Sequence, residues 1–235
     1  HQHRWCRLVV DHMTQGAASS SLPDTPLIEA RGLSVSRRGR TVLGKLDIDV
    51  HAGERLFVLG PCGAGKSTLL QSLLGFVAID AGHIRLLGRD CRREADFAPF
   101  RGPIGMLFQD SNDQLFGPTV LEDAAFGPLN QGLDPAAAQA HAQEALLQVG
   151  IGDLAERPVH ALSGGEQRLA ALAGVLAMQP RVLLLDEPTA SLDARSADHI
   201  TTVLASSGLT MIVASHDDAL IARLATRRLS LDAPR

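Results

Sequence analysis

Three stretches of this 235-residue chain hold residue types that could do chemistry together. In one, Val182-Leu183-Leu184-Leu185 runs into Asp186 and Glu187. Apolar residues followed by two carboxylates describe a buried parallel strand that delivers charge at its C-terminal edge, where open α/β sheets bind ligands. Such a pair can hold a metal ion and a water. In another, Gly60-Pro61-Cys62-Gly63-Ala64-Gly65-Lys66-Ser67-Thr68 follows the short apolar strand Arg55–Leu59 and opens a helix with Leu69, Leu70, Leu73 and Leu74 on one face. This is the strand, loop and helix context that the G-x-x-x-x-G-K-S/T pattern requires, and it argues against a chance glycine-rich turn. Backbone N–H groups of such a loop wrap a phosphate whose charge the helix dipole favours. Lys66 would reach the β- and γ-phosphates of ATP, and the Ser67 hydroxyl would ligand Mg²⁺. The third stretch is Leu162-Ser163-Gly164-Gly165-Glu166-Gln167, ahead of a Leu- and Ala-rich helix from Glu166 to Met178. Ser-Gly-Gly leaves bare N–H groups at a helix N-terminus, which suits an anion. Since the Gly60 loop already cradles a phosphate, this second end is expected to face another copy of the protein.

The elements that must position these residues can be traced along the chain. Leu27–Val35 and a strand in which Leu46, Ile48 and Val50 alternate with Asp47 and Asp49 predict a small, half-exposed antiparallel layer. Ile104–Phe108 reads as a core strand ending at Gln109, whose neutral amide can touch both Mg²⁺ and an attacking water; standing alone, a solvated Gln would be the better reading. From Asp110 to about Val159 the composition shifts, and Ala136–Val149 has good helix propensity closed by Gly150. These residues, about 110–160, predict a helical subdomain inserted in the α/β core. A helix is expected around Ala194–Leu204, a strand at Thr210–Ala214 carrying Ser215-His216-Asp217, and a last strand at Arg227–Leu231. The fold class is therefore α/β, a P-loop NTPase (RecA-like) core spanning 27–235 with an N-terminal antiparallel β layer. Residues 1–26, with Ser19-Ser20-Ser21, Pro23 and Pro26, read as a disordered extension.

Composition narrows the classes. A hydrophobic share of 45% and a charged share of 20% are ordinary for a globular protein. The net charge of −4 weighs against nucleic acid as the main partner. No apolar run approaches the roughly 18 residues of a membrane span, so a membrane role would come through a partner. Cys6, Cys62 and Cys91 are odd in number and widely spread, which fits a reducing compartment better than a disulfide framework.

Taken in order, the Gly60–Thr68 loop, Gln109, Leu162–Gln167, Val182–Glu187, Ser191-Leu192-Asp193 and His216 resemble the nucleotide-binding subunit of an ATP-binding cassette transporter over about Leu27 to Leu231. The resemblance implies a head-to-tail homodimer, or a heterodimer with a second ATPase, with two ATPs at the interface. Ser163, Gly164, Gly165 and Glu166 of one copy would meet the γ-phosphate held by Lys66 of the other, and Asp193 would lie across the interface. It further implies that Ser67, Gln109 and Asp186 hold Mg²⁺, that Glu187 polarises the attacking water as general base, and that His216 contacts the γ-phosphate and keeps Glu187 and the water aligned. The chain departs from the family in two places. No aromatic residue stands in the early β layer to stack on adenine; Arg37 is a substitute by guanidinium stacking, with a solvated surface Arg an equal reading. Cys62 lies inside the phosphate loop, where alkylation should inactivate and ATP protect.

Phe108-Gln109-Asp110-Ser111-Asn112-Asp113-Gln114-Leu115-Phe116 and Thr119–Pro128 resemble the ATPases of energy-coupling-factor importers, which take up cobalt, nickel or vitamins such as biotin. This implies a peripheral subunit at the cytoplasmic face of the cell membrane. Its partners would be a transmembrane scaffold protein and a solute-binding membrane protein. Asp110, Asp113, Glu122 and Asp123 would offer acidity to basic scaffold helices, and Leu115 and Phe116 an apolar contact. The alternatives are the ATPase of another cassette importer or exporter, a soluble cassette ATPase acting on DNA or ribosomes, and a P-loop kinase. The last needs no Leu-Ser-Gly-Gly segment.

Overall fold

The computed structural model describes residues 25–110 and 114–232. The expected disordered extension, apart from Thr25 and Pro26, and Ser111, Asn112 and Asp113 lie outside the described residues. Five parallel strands form the central sheet: β3 (Arg55–Leu59), β6 (Ile104–Leu107), β7 (Val182–Asp186), β8 (Thr210–Ala214) and β9 (Arg227–Ser230), in the order β6-β7-β8-β3-β9. These strands lack polar alternation because both faces are covered. Val182, Leu184, Ile212 and Ala214 enter one apolar cluster, while Leu183, Leu185, Met211 and Val213 enter the other. Period-2 side-chain geometry splits each strand between two cores. Truncating any of these leucines to Ala should cost about 2–5 kcal/mol.

On one face lie α1 (Lys66–Leu73), the single-turn α2 (Glu94–Phe97) and an antiparallel sheet with order β2-β1-β4-β5, built from β1 (Ile28–Arg37), β2 (Arg40–Val50), β4 (Ala81–Leu86) and β5 (Arg89–Cys91). Both hairpins turn through two residues at positive φ, Arg38-Gly39 and Leu87-Gly88, the geometry of the tight primed turn. The sequence anticipates β1 and β2. It does not announce β4, where only Ile84 and Leu86 are buried.

The other face carries α3 (Val120–Asn130), α4 (Pro135–Gln148), α5 (Gly164–Ala177), α6 (Ala194–Ser206) and α7 (Asp218–Leu224). α3 and α4 fall within the segment expected to be helical. Their Val120, Leu121, Ala142 and Leu146 share a cluster with Leu172 and Leu176 of α5. In packing terms α5 joins that helical unit to the sheet. Gly105 on β6 permits this closeness, since a Cβ there would lie 2.4 Å from Val175 Cγ1 of α5.

Candidate active site

Parallel strands expose their C-terminal ends along one edge, and four of the five deliver a singled-out residue there. β3 feeds the loop Gly60–Gly65, β6 feeds Gln109, β7 ends in Asp186 with Glu187 next, and β8 leads through Ser215 to His216. The loop enters α1 through Gly65 at φ 93°, with no side chain capping the first turn. A side chain at Gly65 is excluded twice, by that left-handed backbone and by Val42 Cγ1, which would lie 2.7 Å from a Cβ. The first-turn N–H groups of α1 thus stay available to an anion. Lys66 Nζ donates to the carbonyls of Gly60 at 2.7 Å and Pro61 at 3.1 Å, which holds the ammonium over the loop.

A cleft of about 780 Å³ brings together the loop, Ser67, Thr68, Gln109, Glu187, His216 and, at its mouth, Arg37 and Arg38. The Arg37 guanidinium donates to Gln71 Oε1 of α1 at 3.4 Å and is exposed. Asp186 and Glu187 are both buried, while His216 is 78% exposed and reaches across to Glu187 Oε1 with Nδ1 at 2.9 Å. With Glu187 ionised, that bond needs its proton on Nδ1. Glu187 sits at φ 46°, a conformation that costs a non-glycine residue about 1–2 kcal/mol and that its N–H, donated to Ala214 O at 2.8 Å, helps to hold. Burial pushes the Asp186 carboxyl above its usual range, against a hydrogen bond to Ser67 that pulls it down. Its Oδ1 is buried with no hydrogen-bond partner. An orphaned carboxylate oxygen beside a hydroxyl and an amide is the hard-oxygen donor set that suits Mg²⁺, so Ser67, Gln109 and Asp186 fit that ion.

The Ser163 end of α5 is built differently and lies outside this cleft. Ser163 Oγ accepts from the Glu166 N–H at 3.3 Å, and Glu166 Oε2 accepts from the Ser163 N–H at 2.7 Å. The Ser163 N–H first, and then the Ser163 hydroxyl, hold the Glu166 carboxyl below its usual range. Gly164 is exposed, with nothing close to a would-be Cβ. Asp193 caps α6, accepting from the Arg195 and Ser196 N–H groups at 3.0 Å each. Gly164, Gln167, Ser191 and Leu192 line a second hollow that meets the first only at Gln109.

Sequence reasoning passed over Arg168, which is 2% exposed and donates to the carbonyls around Gln109 and Glu187. Its signal was isolation: it is the single charge in the apolar run that follows Gln167. Thr189 was also missed; its hydroxyl donates to Asp217 Oδ2 at 2.7 Å and fastens the segment after Glu187 to the one after His216.

A family model described as ABC transporter matches residues 43–190. The chain is 44% identical over 208 residues to the cobalt import ATP-binding protein CbiO of Rhodobacter capsulatus, covering 86% of this chain and 74% of that one. It is 41% identical over 206 residues to the energy-coupling factor transporter ATP-binding protein EcfA of Methanothermobacter thermautotrophicus, covering 86% and 66%. Among solved structures it resembles cbiO1 from Clostridium perfringens, part of the ABC transporter complex cbiONQ, with a TM-score of 0.78, 31% identity and coverage of 88% and 85%. It also resembles a dimeric bacterial ABC transporter cassette, with a TM-score of 0.79, 25% identity and coverage of 88% and 94%.

Proposed function

The chain belongs to the ABC transporter family of ATP-binding proteins, and from that premise we propose that it powers an energy-coupling-factor importer for a metal ion such as cobalt or nickel, or a vitamin such as biotin. It binds and hydrolyses ATP, as its family does. In this reading the N–H groups of the Gly60–Gly65 loop and of the first turn of α1 hold the phosphates, and Lys66 leaves its loop carbonyls for the β- and γ-oxygens. Ser67, Gln109 and Asp186 would hold Mg²⁺, whose charge neutralises the phosphate oxygens when it is bound. Glu187 takes the proton of the attacking water. His216, through Nδ1, fixes which way that carboxylate points, and in its doubly protonated form would donate Nε2–H to a γ-phosphate oxygen. Arg37 lies at the mouth where a base would stack.

Ser163, Gly164, Gly165 and Glu166 are turned away from their own cleft, so they serve a second copy in a head-to-tail pair, with Asp193 between the two sites. The dimeric cassette that this chain resembles supports that pairing. No helix among the described residues is long and apolar enough to cross a membrane. In this reading the chain acts at the cytoplasmic face through membrane-embedded partners.

The observation that carries the transport reading is a groove of about 690 Å³ between the sheet and α3, lined by Phe108, the residue before Gln109. Phe76 and Phe126 line it and are 46% and 59% exposed; Arg101 lies over the Phe76 ring at 4.5 Å. Exposed aromatics around a groove mark a docking site for a protein segment. Asp123, one of the carboxylates expected to meet a scaffold helix, lines the same groove. Asp123 Oδ1 accepts from the Phe116 and Gly117 N–H groups at 2.6 and 2.7 Å, and Glu122 Oε2 accepts from Thr119 Oγ1 at 2.8 Å, so both carboxylates shape the start of α3. Leu115 packs on the core while Phe116 faces out. A scaffold helix would be held by the aromatic rim, with the Asp123 carboxylate beside it. The test is co-expression with the neighbouring membrane genes, purification and mass spectrometry. A small scaffold protein with one solute-binding membrane protein supports the reading. A symmetric pair of large permeases would make the chain the ATPase of another cassette importer or exporter.

A further inference from the structure

We propose that Arg168 is a positioning residue for hydrolysis, tying the general base Glu187 to the Gln109 loop and to the Ser163 end of α5. A guanidinium has five N–H donors in a fixed plane, and here all five meet backbone carbonyls. Nε donates to Pro188 O at 3.1 Å, Nη1 to Phe108 O at 2.6 Å and Gln109 O at 2.8 Å, and Nη2 to Asp186 O at 2.9 Å and Glu187 O at 2.6 Å. Those carbonyls belong to the C-terminal ends of β6 and β7, where the parallel ladder stops and the backbone must find other partners.

The bonds fall on the two places that the reaction asks most of. Glu187 is held at φ 46°, and three bonds fix its main chain: Arg168 Nη2 and the Ala190 N–H, at 3.1 Å, donate to its carbonyl, and its own N–H donates to Ala214 O. A carboxylate leaving a relaxed backbone would point elsewhere, so the base is aimed by its main chain as well as by His216. The Gln109 side is likewise held from two directions. Gln114 Oε1 accepts from the Phe108 N–H at 2.8 Å and Gln114 Nε2 donates to Met106 O at 3.1 Å, pinning the outer face of β6, while Arg168 takes the inner carbonyls. Met106, Phe108 and Gln114 also line the groove beside Phe76. A shift of Phe108 by anything seated in that groove therefore reaches Glu187 through one rigid side chain, and reaches the Ser163 cap because Arg168 sits one turn into the same helix. Lysine cannot replace it: with three donors on a single nitrogen it cannot span both strand ends.

This inference rests on the ATPase assignment and is independent of which importer the chain serves. The experiment is steady-state hydrolysis by the full chain with Arg168→Lys and Arg168→Met, each also placed in the Glu187→Gln background, with ATP affinity and circular dichroism measured on every variant. The expected result is a folded chain, ATP affinity within about threefold of wild type and kcat lowered at least about 20-fold with KM little changed. In the Glu187→Gln background the same substitutions should lower the residual rate less than about threefold, because both changes act on one group. A wild-type kcat in Arg168→Lys overturns the proposal. So does an equal loss in both backgrounds, or failure of both variants to fold, which would leave Arg168 a purely structural residue.

Discussion

The first turns of α1 and α5 both present bare N–H groups to an anion, yet they are built on opposite plans. α1 begins at a left-handed glycine with no side chain over its first turn, inside a cleft whose other walls are Gln109, Glu187 and His216. α5 begins at Ser163 with a reciprocal Ser163–Glu166 cap, outside the cleft that holds Lys66, Glu187 and His216 of its own copy. One end is specified to receive a ligand. In the proposed head-to-tail pair, the other keeps its own shape until a partner supplies one. A phosphate cradle that must yield to its ligand cannot spend its donors on a cap; an end that must dock as a rigid piece can.

The sharpest way to break this contrast is to remove the base and watch whether the two ends meet. Glu187→Gln should lower hydrolysis about 10²-fold or more while ATP binding survives, because the phosphate cradle is untouched. The variant should then accumulate an ATP-bound dimer, seen by size-exclusion chromatography with light scattering. Wild-type turnover would sink the assignment of Glu187. A monomer at saturating ATP would sink the idea that the α5 end completes the α1 cleft.

Matched glycine substitutions come next in size. Gly65→Ala forces a side chain into a left-handed turn against Val42, and ATP affinity should fall at least about 30-fold. Gly164→Ala meets nothing within 4 Å, so affinity of the single copy should hold while ATP-driven pairing and turnover fall about 10-fold. Equal effects of the two on nucleotide binding, by fluorescence titration, would erase the distinction between the ends.

Most of this was legible in the sequence for a physical reason. Charged residues at the ends of apolar strands and glycines at a strand-to-helix turn are local requirements, so Asp186, Glu187, Gly65 and Lys66 could be placed from their neighbours alone. What could not be read was whatever depends on two distant segments meeting. The Arg168 fork needs β6 and β7 side by side, and β4 becomes a strand only because β1 offers it a partner. Asp123 looked like a surface charge because the loop it closes, at Phe116 and Gly117, lies seven and six residues before it rather than at capping distance.

Cys62 gives a smaller probe of the same cleft. It is exposed in the phosphate loop while Cys91 is buried. Burial also pushes the Cys91 thiol up, keeping it protonated and unreactive. A thiol reagent should therefore reduce turnover by roughly 5- to 10-fold through Cys62, with protection by ATP and resistance in Cys62→Ala. Loss of activity in Cys62→Ala under the same treatment would move the reactive group elsewhere.

The smallest effect tests the cap on α5. The Glu166 carboxyl is held below its usual range in the folded chain, first by the Ser163 N–H and then by the Ser163 hydroxyl, with Arg157 adding attraction. A group whose folded pKa is lowered stabilises the fold above its unfolded pKa and loses that contribution as pH falls through the folded value. Glu166→Ala should therefore cost about 0.5–1 kcal/mol at pH 7, a drop of about 2–4 °C in Tm, and progressively less as pH falls from about 5 to 3. Glu166→Gln, whose amide oxygen can still accept from the Ser163 N–H, should fall between the two and show no such pH dependence. Thermal melts of the three proteins at both pH values decide it. If the Ala variant is as stable as wild type at pH 7, the end of α5 is shaped by its packing against α3 and α4 rather than by its cap, and the contrast with α1 loses its basis.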